Sequence, residues 1–247
     1  MDKEIEQLKK YIQESKNIVF FGGAGVSTES GIPDFRSKDG LYNQHDVQFD
    51  AYTPEYLLSH SCLEYNPKVF YEFYRQKLDA RNIEPNYAHY ALARLEKEGK
   101  LSGIVTQNID GLHQKAGSVK VYEIHGTTLK NYCDRCGKIY PSNYIFDSNE
   151  AIPRCSCGGK VRPEVTLYEE GLPQKEVYGA IRALQNADLL IIGGTSLTVY
   201  PAASFIYEFE GNHMVVINRD PINVHLKDSD LFIQGSIGEV FKKVFEE

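Results

Sequence analysis

Cys133-Asp134-Arg135-Cys136 and Cys155-Ser156-Cys157 form an array whose spacing alone points to chemistry. Four thiolates in a C-x2-C-x18-C-x-C pattern can surround one tetrahedral zinc ion. A shell closed by four cysteines keeps no position open for a substrate, so the metal is expected to be structural. Gly23-Ala24-Gly25-Val26-Ser27-Thr28 is a second candidate. Its glycines would let backbone approach a pyrophosphate, which N–H groups at the start of a following helix would bind. Thr28 stands where the usual dinucleotide pattern has its third glycine, and no strand-end acid follows to hold a ribose. Hydride-transfer dehydrogenases are therefore disfavoured, and a plain tight turn is an equal reading. His125, within Glu123-Ile124-His125-Gly126 just after a possible strand, reads alone more readily as a structural histidine than as a functional one. Gln107-Asn108-Ile109-Asp110 reads alone as the polar close of a strand. Gly31 to Arg36, Gly-Ile-Pro-Asp-Phe-Arg, reads alone as a surface loop.

Bringing these segments together is work for the rest of the chain. Ile5, Leu8, Tyr11 and Ile12 fall on one face of a helix over residues 2–15. Residues 17–21, 102–106, 119–124, 188–192, 214–217 and 231–233 are short apolar runs that read as buried strands. Residues 53–80, 87–98 and 174–185 read as helical. Strands alternating with helices predict a mostly parallel, doubly wound sheet. Four of the strands end in Gly22–Gly25, Gln107–Asp110, Gly193–Ser196 and Asn218. Ligands bind beyond the carboxyl ends of strands in such sheets, so these four segments should line one crevice. Between Cys133 and Cys157 apolar content falls, which marks an inserted module.

The chain has 247 residues, 42% of them hydrophobic, enough for one large domain with a smaller insertion. A net charge of -7 argues against broad binding to nucleic acid or anionic membrane. The acidic start Met1-Asp2-Lys3-Glu4 and the lack of a long apolar run predict neither a signal peptide nor a membrane span, so the expected location is the cytoplasm. Five cysteines, an odd number, favour a metal site over a disulfide framework.

Gly-Ala-Gly-Val-Ser at 23–27, Gly-Ile-Pro-Asp-Phe-Arg at 31–36, Thr-Gln-Asn-Ile-Asp-Gly-Leu-His at 106–113, His-Gly at 125–126, the four cysteines and Gly-Gly-Thr-Ser-Leu at 193–197 together resemble the signatures of the sirtuin family, in its order and at its distances. The likeness runs from about residue 5 to about residue 240. It implies an α/β fold: a Rossmann-like doubly wound parallel sheet with a smaller domain made of a helical insert and a zinc-binding module. The implied division puts 1–36, 86–128 and 162–247 in the large NAD-binding domain, 37–85 in the helical insert and 129–161 in the zinc module.

The same resemblance implies an NAD-dependent protein lysine deacetylase. In that family the acyl oxygen displaces nicotinamide from NAD, a histidine general base then promotes attack by a ribose hydroxyl, and deacylated lysine and acyl-ADP-ribose leave. Carried onto this chain, His125 is the base, with Asn108 and Asp110 also catalytic. Ala24, Thr28, Phe35, Arg36, Gln107, Asn108, Ile109, Asp110, Thr195, Ser196, Asn218 and Ile237 would meet NAD, the cosubstrate. Val165, Thr166 and Tyr168 would bind the acyl-lysine peptide as an added strand. Cys133, Cys136, Cys155 and Cys157 would hold structural Zn2+. Nicotinamide would be both product and inhibitor. Leu167 and Glu169 depart from the family's Trp and Gly in the peptide-binding floor. Tyr42 is followed three residues later by His45, not by the arginine that resembles a reader of acidic acyl groups, which implies acetyl or uncharged longer acyl groups. Mono-ADP-ribosyl transfer stands as the rival enzymatic reading. A non-enzymatic rival is a zinc module that reads nucleic acid through Lys130, Arg135, Lys138, Arg154, Lys160 and Arg162.

Overall fold

The computed structural model describes residues 2–35, 40–41 and 46–246. In chain order the elements are α1 (Asp2–Glu14), β1 (Ile18–Gly22), α2 (Pro54–Leu57), α3 (His60–Tyr65), α4 (Pro67–Lys77), α5 (Tyr87–Lys97), β2 (Leu101–Thr106), α6 (Leu112–Lys115), β3 (Val121–Glu123), β4 (Gly126–Cys133), β5 (Ile139–Pro141), α7 (Asn143–Phe146), β6 (Val161–Val165), α8 (Gln174–Gln185), β7 (Leu189–Gly193), β8 (His213–Asn218), β9 (Leu231–Gln234) and α9 (Ile237–Glu246).

Six strands form one parallel sheet in the order β3-β2-β1-β7-β8-β9. The chain builds outward from β1 on one side through β2 and β3, then on the other through β7, β8 and β9. The order reverses between β1 and β7, and a crevice opens beyond the carboxyl ends of those two strands. Strand residues alternate between the two faces. Ile18 and Phe20 pack with Leu8, Leu92 and Phe241 from α1, α5 and α9, whereas Val19 and Phe21 pack with Ala180 and Leu184 of α8 and with Phe205 and Ile206. Both faces are covered, which is why the central strands read as unbroken apolar runs rather than as alternation.

The helical stretch over 53–80 is three helices. Thr53 and Ser59 accept hydrogen bonds from the backbone as N-caps of α2 and α3, and Pro67 opens α4 after Asn66. A second, antiparallel sheet has the order β5-β4-β6. Its core joins Cys62, Leu63, Phe70, Tyr71 and Tyr74 from the helices to Cys133, Tyr140, Ile145, Cys155, Val161, Val165 and Leu167. The helical insert and the cysteine-bearing segment thus share one interior and form a single smaller domain. No described helix is long and apolar enough to cross a membrane.

Two histidines are buried together beneath the first sheet. His89 on α5 and His113 on α6 are 4.8 Å apart between ring centroids, and His113 tilts against Phe20. Burial holds His113 well below its ordinary range and lowers His89 to about 4. The unfolded chain therefore takes up protons, at an ordinary histidine value near 6.5, that the folded chain refuses. Stability from this pair is fully present above about pH 6.5 and is lost as pH falls towards 4. Thermal melts of the His89→Gln, His113→Gln double variant should be flatter across that window than those of the parent. Parallel curves would disprove the assignment.

Candidate active site and metal centre

The turn after β1 differs from the expected helix. Ala24–Val26 and Thr28–Ser30 are single 3-10 turns, and the Thr28 hydroxyl donates to the Gly25 carbonyl at 3.0 Å. Gly31 takes a left-handed conformation, and Pro33 restricts the residue before it, so no helix can propagate from here. The turn lies against the end of β7: a side chain at Gly25 would collide with the backbone of Gly194. Glu29 links it to the opposite edge of the fold, accepting from the Ser236 hydroxyl at 3.0 Å and the Gly238 N–H at 2.8 Å at the start of α9.

The segment after β2 carries the densest polar network. Gln107 Nε2 donates to Thr195 Oγ1 at 3.0 Å, joining the ends of β2 and β7 across β1. The Asn108 N–H donates to Thr106 Oγ1 at 3.0 Å, and its side-chain amide donates to Ser27 Oγ at 3.0 Å. The same Ser27 hydroxyl donates to Asp110 Oδ2 at 2.7 Å, while Asp110 Oδ1 accepts the Leu112 N–H at 2.9 Å. Burial pushes the Asp110 carboxyl above its ordinary value, although these hydrogen bonds favour its charged form. One buried serine therefore sets both Asn108 and Asp110. Ser27 closes the Gly-Ala-Gly-Val-Ser motif, whose residue types alone do not foretell this task.

His125 follows β3, and its Nδ1 lies 3.0 Å from the Gln107 carbonyl oxygen. A carbonyl can only accept, so Nδ1 carries the proton and Nε2 carries the lone pair. That is the tautomer a base acting through Nε2 needs. Gly126, next in the chain, is left-handed, and any side chain there would strike the Glu164 carbonyl of β6. The backbone can only turn this sharply at glycine.

The segment after β6 runs past the histidine. The Thr166 N–H donates to the His125 carbonyl at 2.9 Å, the Tyr168 N–H to the Leu58 carbonyl at 3.0 Å, and the His60 N–H back to the Tyr168 carbonyl at 3.0 Å. Val165 is buried in the smaller domain, Thr166 and Tyr168 are half-buried, and Tyr168 packs with Leu57, Leu58 and Phe73. Glu170 anchors the segment. Burial disfavours its charge, yet a two-point bond from Arg162 at 2.6 and 2.8 Å, the Leu167 N–H at 3.0 Å and His60 at 2.9 Å hold it down at about 2. Leu167 sits inside the core, so its departure from the family's tryptophan alters packing beneath the floor. Glu169 is left-handed (φ 76°) where glycine is usual, and its carboxylate accepts from the Ser61 N–H and hydroxyl at 2.9 and 2.7 Å.

Of the other residues expected to meet NAD, Ala24 and Thr28 are half-buried, Thr195 is buried and Ser196 is exposed, all at the strand-end crevice. Phe35 packs against the helical insert, Ile109 against the core of the smaller domain, and Asn218 closes β8. The Ile237 side chain lies in the large core against Gly193, so a contact there would come from its backbone. Arg36, Tyr42 and His45 lie outside the described residues.

All four cysteine sulfurs fall within 4.8 Å of one another, with Cys133–Cys157 at 3.5 Å and Cys136–Cys155 at 3.6 Å. Tetrahedral zinc with sulfur ligands at ~2.3 Å spaces its ligands ~3.8 Å apart, so the set fits that ion. The Tyr140 hydroxyl donates to Cys155 Sγ at 3.0 Å and supports the ligand from behind.

The sequence pattern of the Sir2 family matches residues 23–201. An NAD-dependent protein deacetylase of Clostridium perfringens is 54% identical over the full length of both chains. A solved structure described under the mechanism and regulation of Sir2 enzymes superposes with a TM-score of 0.86 at 41% identity, covering 100% of this chain and 98% of that one. Another, a Sir2 with p53 peptide and NAD+, gives 0.84 at 34% identity, with 98% and 97% covered.

Proposed function

The chain belongs to the Sir2 family, and from that premise we propose which of its residues carry out each part of NAD-dependent protein lysine deacetylation. NAD and an acyl-lysine peptide are the substrates, and nicotinamide, deacylated lysine and acyl-ADP-ribose the products. His125 is the general base, taking a ribose proton at Nε2. The observation that carries this reading is the bond from Nδ1 to the Gln107 carbonyl, because it fixes the tautomer and ties His125 to the segment that holds Gln107, Asn108 and Asp110.

Gln107 and Asn108 orient the nicotinamide ribose, Ile109 and Asp110 line the nicotinamide pocket with Phe35, and Ala24, Thr28, Arg36, Thr195, Ser196, Asn218 and Ile237 hold the rest of NAD. The peptide lies along Val165, Thr166 and Tyr168. Zinc is structural, held by Cys133, Cys136, Cys155 and Cys157; when bound it supplies a cross-link and no open coordination site. The domains divide at 1–36, 86–128 and 162–247 against 37–85 and 129–161, with β6 crossing the last boundary. Thiolate ligands need a reducing compartment, which fits a cytoplasmic location.

Incubation with NAD and an acetyl-lysine peptide should yield acetyl-ADP-ribose, identified by mass. ADP-ribose attached to protein, with no acyl nucleotide, would favour the transferase reading instead.

Ser27→Ala tests the network. It removes the acceptor of the buried Asn108 amide and a donor to Asp110, and an orphaned buried group costs about 1–3 kcal/mol. Melting should fall by several degrees, and deacetylation and nicotinamide exchange should drop together. A variant with unchanged kcat/KM would show that Asn108 and Asp110 need no such support.

A further inference from the structure

Among the described residues, two that are not glycine take a left-handed backbone: Leu197 at φ 53° and Glu169 at φ 76°. Such a conformation persists only where its surroundings hold it. At Glu169 the holding contact is made by its own side chain. One carboxylate oxygen, Oε2, accepts both the Ser61 N–H at 2.9 Å and the Ser61 hydroxyl at 2.7 Å. Bonds to a charged acceptor are the stronger kind.

These bonds complete a row of contacts. β6 pairs with β4 as far as Val165 against Gly126, and beyond that the chain leaves the small sheet. Tyr168 is then held at both of its backbone groups by the entry to α3: its N–H donates to the Leu58 carbonyl and its carbonyl accepts the His60 N–H, each at 3.0 Å, with Ser59 opposite it in a parallel bridge. Ser61 and Glu169 are the next residues on the two sides. Glu170 fixes the far end of the segment to Arg162 and to the His60 ring, whereas Glu169 reaches the backbone inside α3. The half-buried Tyr168 packs with Leu57, Leu58 and Phe73, so its place follows from how its backbone sits against Leu58–Ser61.

We propose that the Glu169 carboxylate is a latch that, by holding Ser61, sets the position in which Tyr168 meets the acyl-lysine peptide. Glu169 is a positioning residue and acts through Tyr168. The inference rests on the reading of Val165, Thr166 and Tyr168 as the peptide floor.

Glu169→Ala, Glu169→Gln, Glu169→Gly and Tyr168→Ala in the zinc-loaded full chain test this. Melting temperature, kcat, KM for acetyl peptide at saturating NAD and KM for NAD at saturating peptide are measured on the same preparations. The alanine variant should raise the peptide KM at least about fivefold and change the KM for NAD by less than about twofold. Glutamine keeps a single carbonyl oxygen that can take both Ser61 donors, and it should return the peptide KM to within about twofold of the parent. Glycine suits the left-handed turn but has no carboxylate, and it should still raise the peptide KM at least about threefold. A folded alanine variant with a peptide KM within twofold of the parent overturns the inference. So does a glycine variant that matches the parent, because the turn alone would then suffice. A glutamine variant as impaired as alanine also overturns it, because the charge would then meet the peptide directly. The glutamine and glycine variants decide the matter even if the alanine variant does not fold. Tyr168→Ala separates the latch from the floor. If it leaves the peptide KM unchanged, the floor assignment falls and the latch with it. If it raises the peptide KM while Glu169→Ala does not, the latch alone falls.

Discussion

His125→Ala is expected to lose deacetylation by at least the ~10²–10⁴-fold that general base catalysis contributes, while exchange of labelled nicotinamide into NAD remains measurable when acetyl peptide is present. The two activities part because nicotinamide leaves before a ribose hydroxyl has to be deprotonated. The fold leaves room for a clean result. His125 is half-buried just beyond β3; its Nδ1 bonds the Gln107 carbonyl, and its own carbonyl accepts the Thr166 N–H, a bond that survives in alanine. Asp110→Asn should behave differently. Its carboxylate caps α6 and takes the Ser27 hydroxyl, so altering it should disturb the proposed nicotinamide pocket, and both activities should fall. A merely structural His125 predicts a lowered melting temperature with both activities falling together. A well-folded His125→Ala protein that deacetylates near the parent rate would show that another group is the base.

Cys133→Ala should release the metal and, with it, the packing of the smaller domain. Cys133 is buried, ends β4 and pairs with Val161 of β6, so the zinc ties the two long strands of the small sheet at that end. Structural zinc sites contribute apparent binding free energies on the order of 10 kcal/mol in isolated modules, and much of that is folding energy. Here the neighbouring core shares the task, so we expect a loss of several kcal/mol, which for a chain of this size lowers the melting temperature by roughly ten degrees or more. Elemental analysis, a thermal melt and deacetylation on one preparation check it. Activity should fall because the proposed peptide floor, Val165 to Tyr168, grows out of β6. A zinc-free variant that stays folded and fully active would refute a structural role.

Much of the large domain is legible in the residues. Val19-Phe20-Phe21 and Leu189-Leu190-Ile191-Ile192 are apolar without a break because helices cover both sheet faces, and four of the six strands end in the polar or glycine-rich segments that meet at the crevice. The cysteine spacing foretells a four-sulfur cluster, which is present. What escapes is whatever depends on partners far apart in the chain. The turn at Gly23–Thr28 looks like the start of a helix until Gly31 and Pro33 stop it. Ser27 gains its place only when the loop after β2 folds over it. Glu169 looks like a poor substitute for glycine, because a left-handed non-glycine residue costs roughly 1–2 kcal/mol. Its compensating bonds to Ser61 come from a helix more than a hundred positions earlier.

The smaller domain also sets an order of events during synthesis. Its interior needs α3 and α4 together with β4, β5 and β6, yet α5, β2 and β3 of the large sheet lie between them in the chain. Phe70, Tyr71 and Tyr74 therefore leave the ribosome long before Val161, Val165 and Leu167, a wait of roughly 5–20 s at usual elongation rates. During that time the apolar side of α4 has no lasting cover, and the cysteines that could recruit zinc have not all been made. A shortage of metal in the cell would lengthen this exposed interval and should appear as aggregated nascent protein, even if mature enzyme retains its zinc.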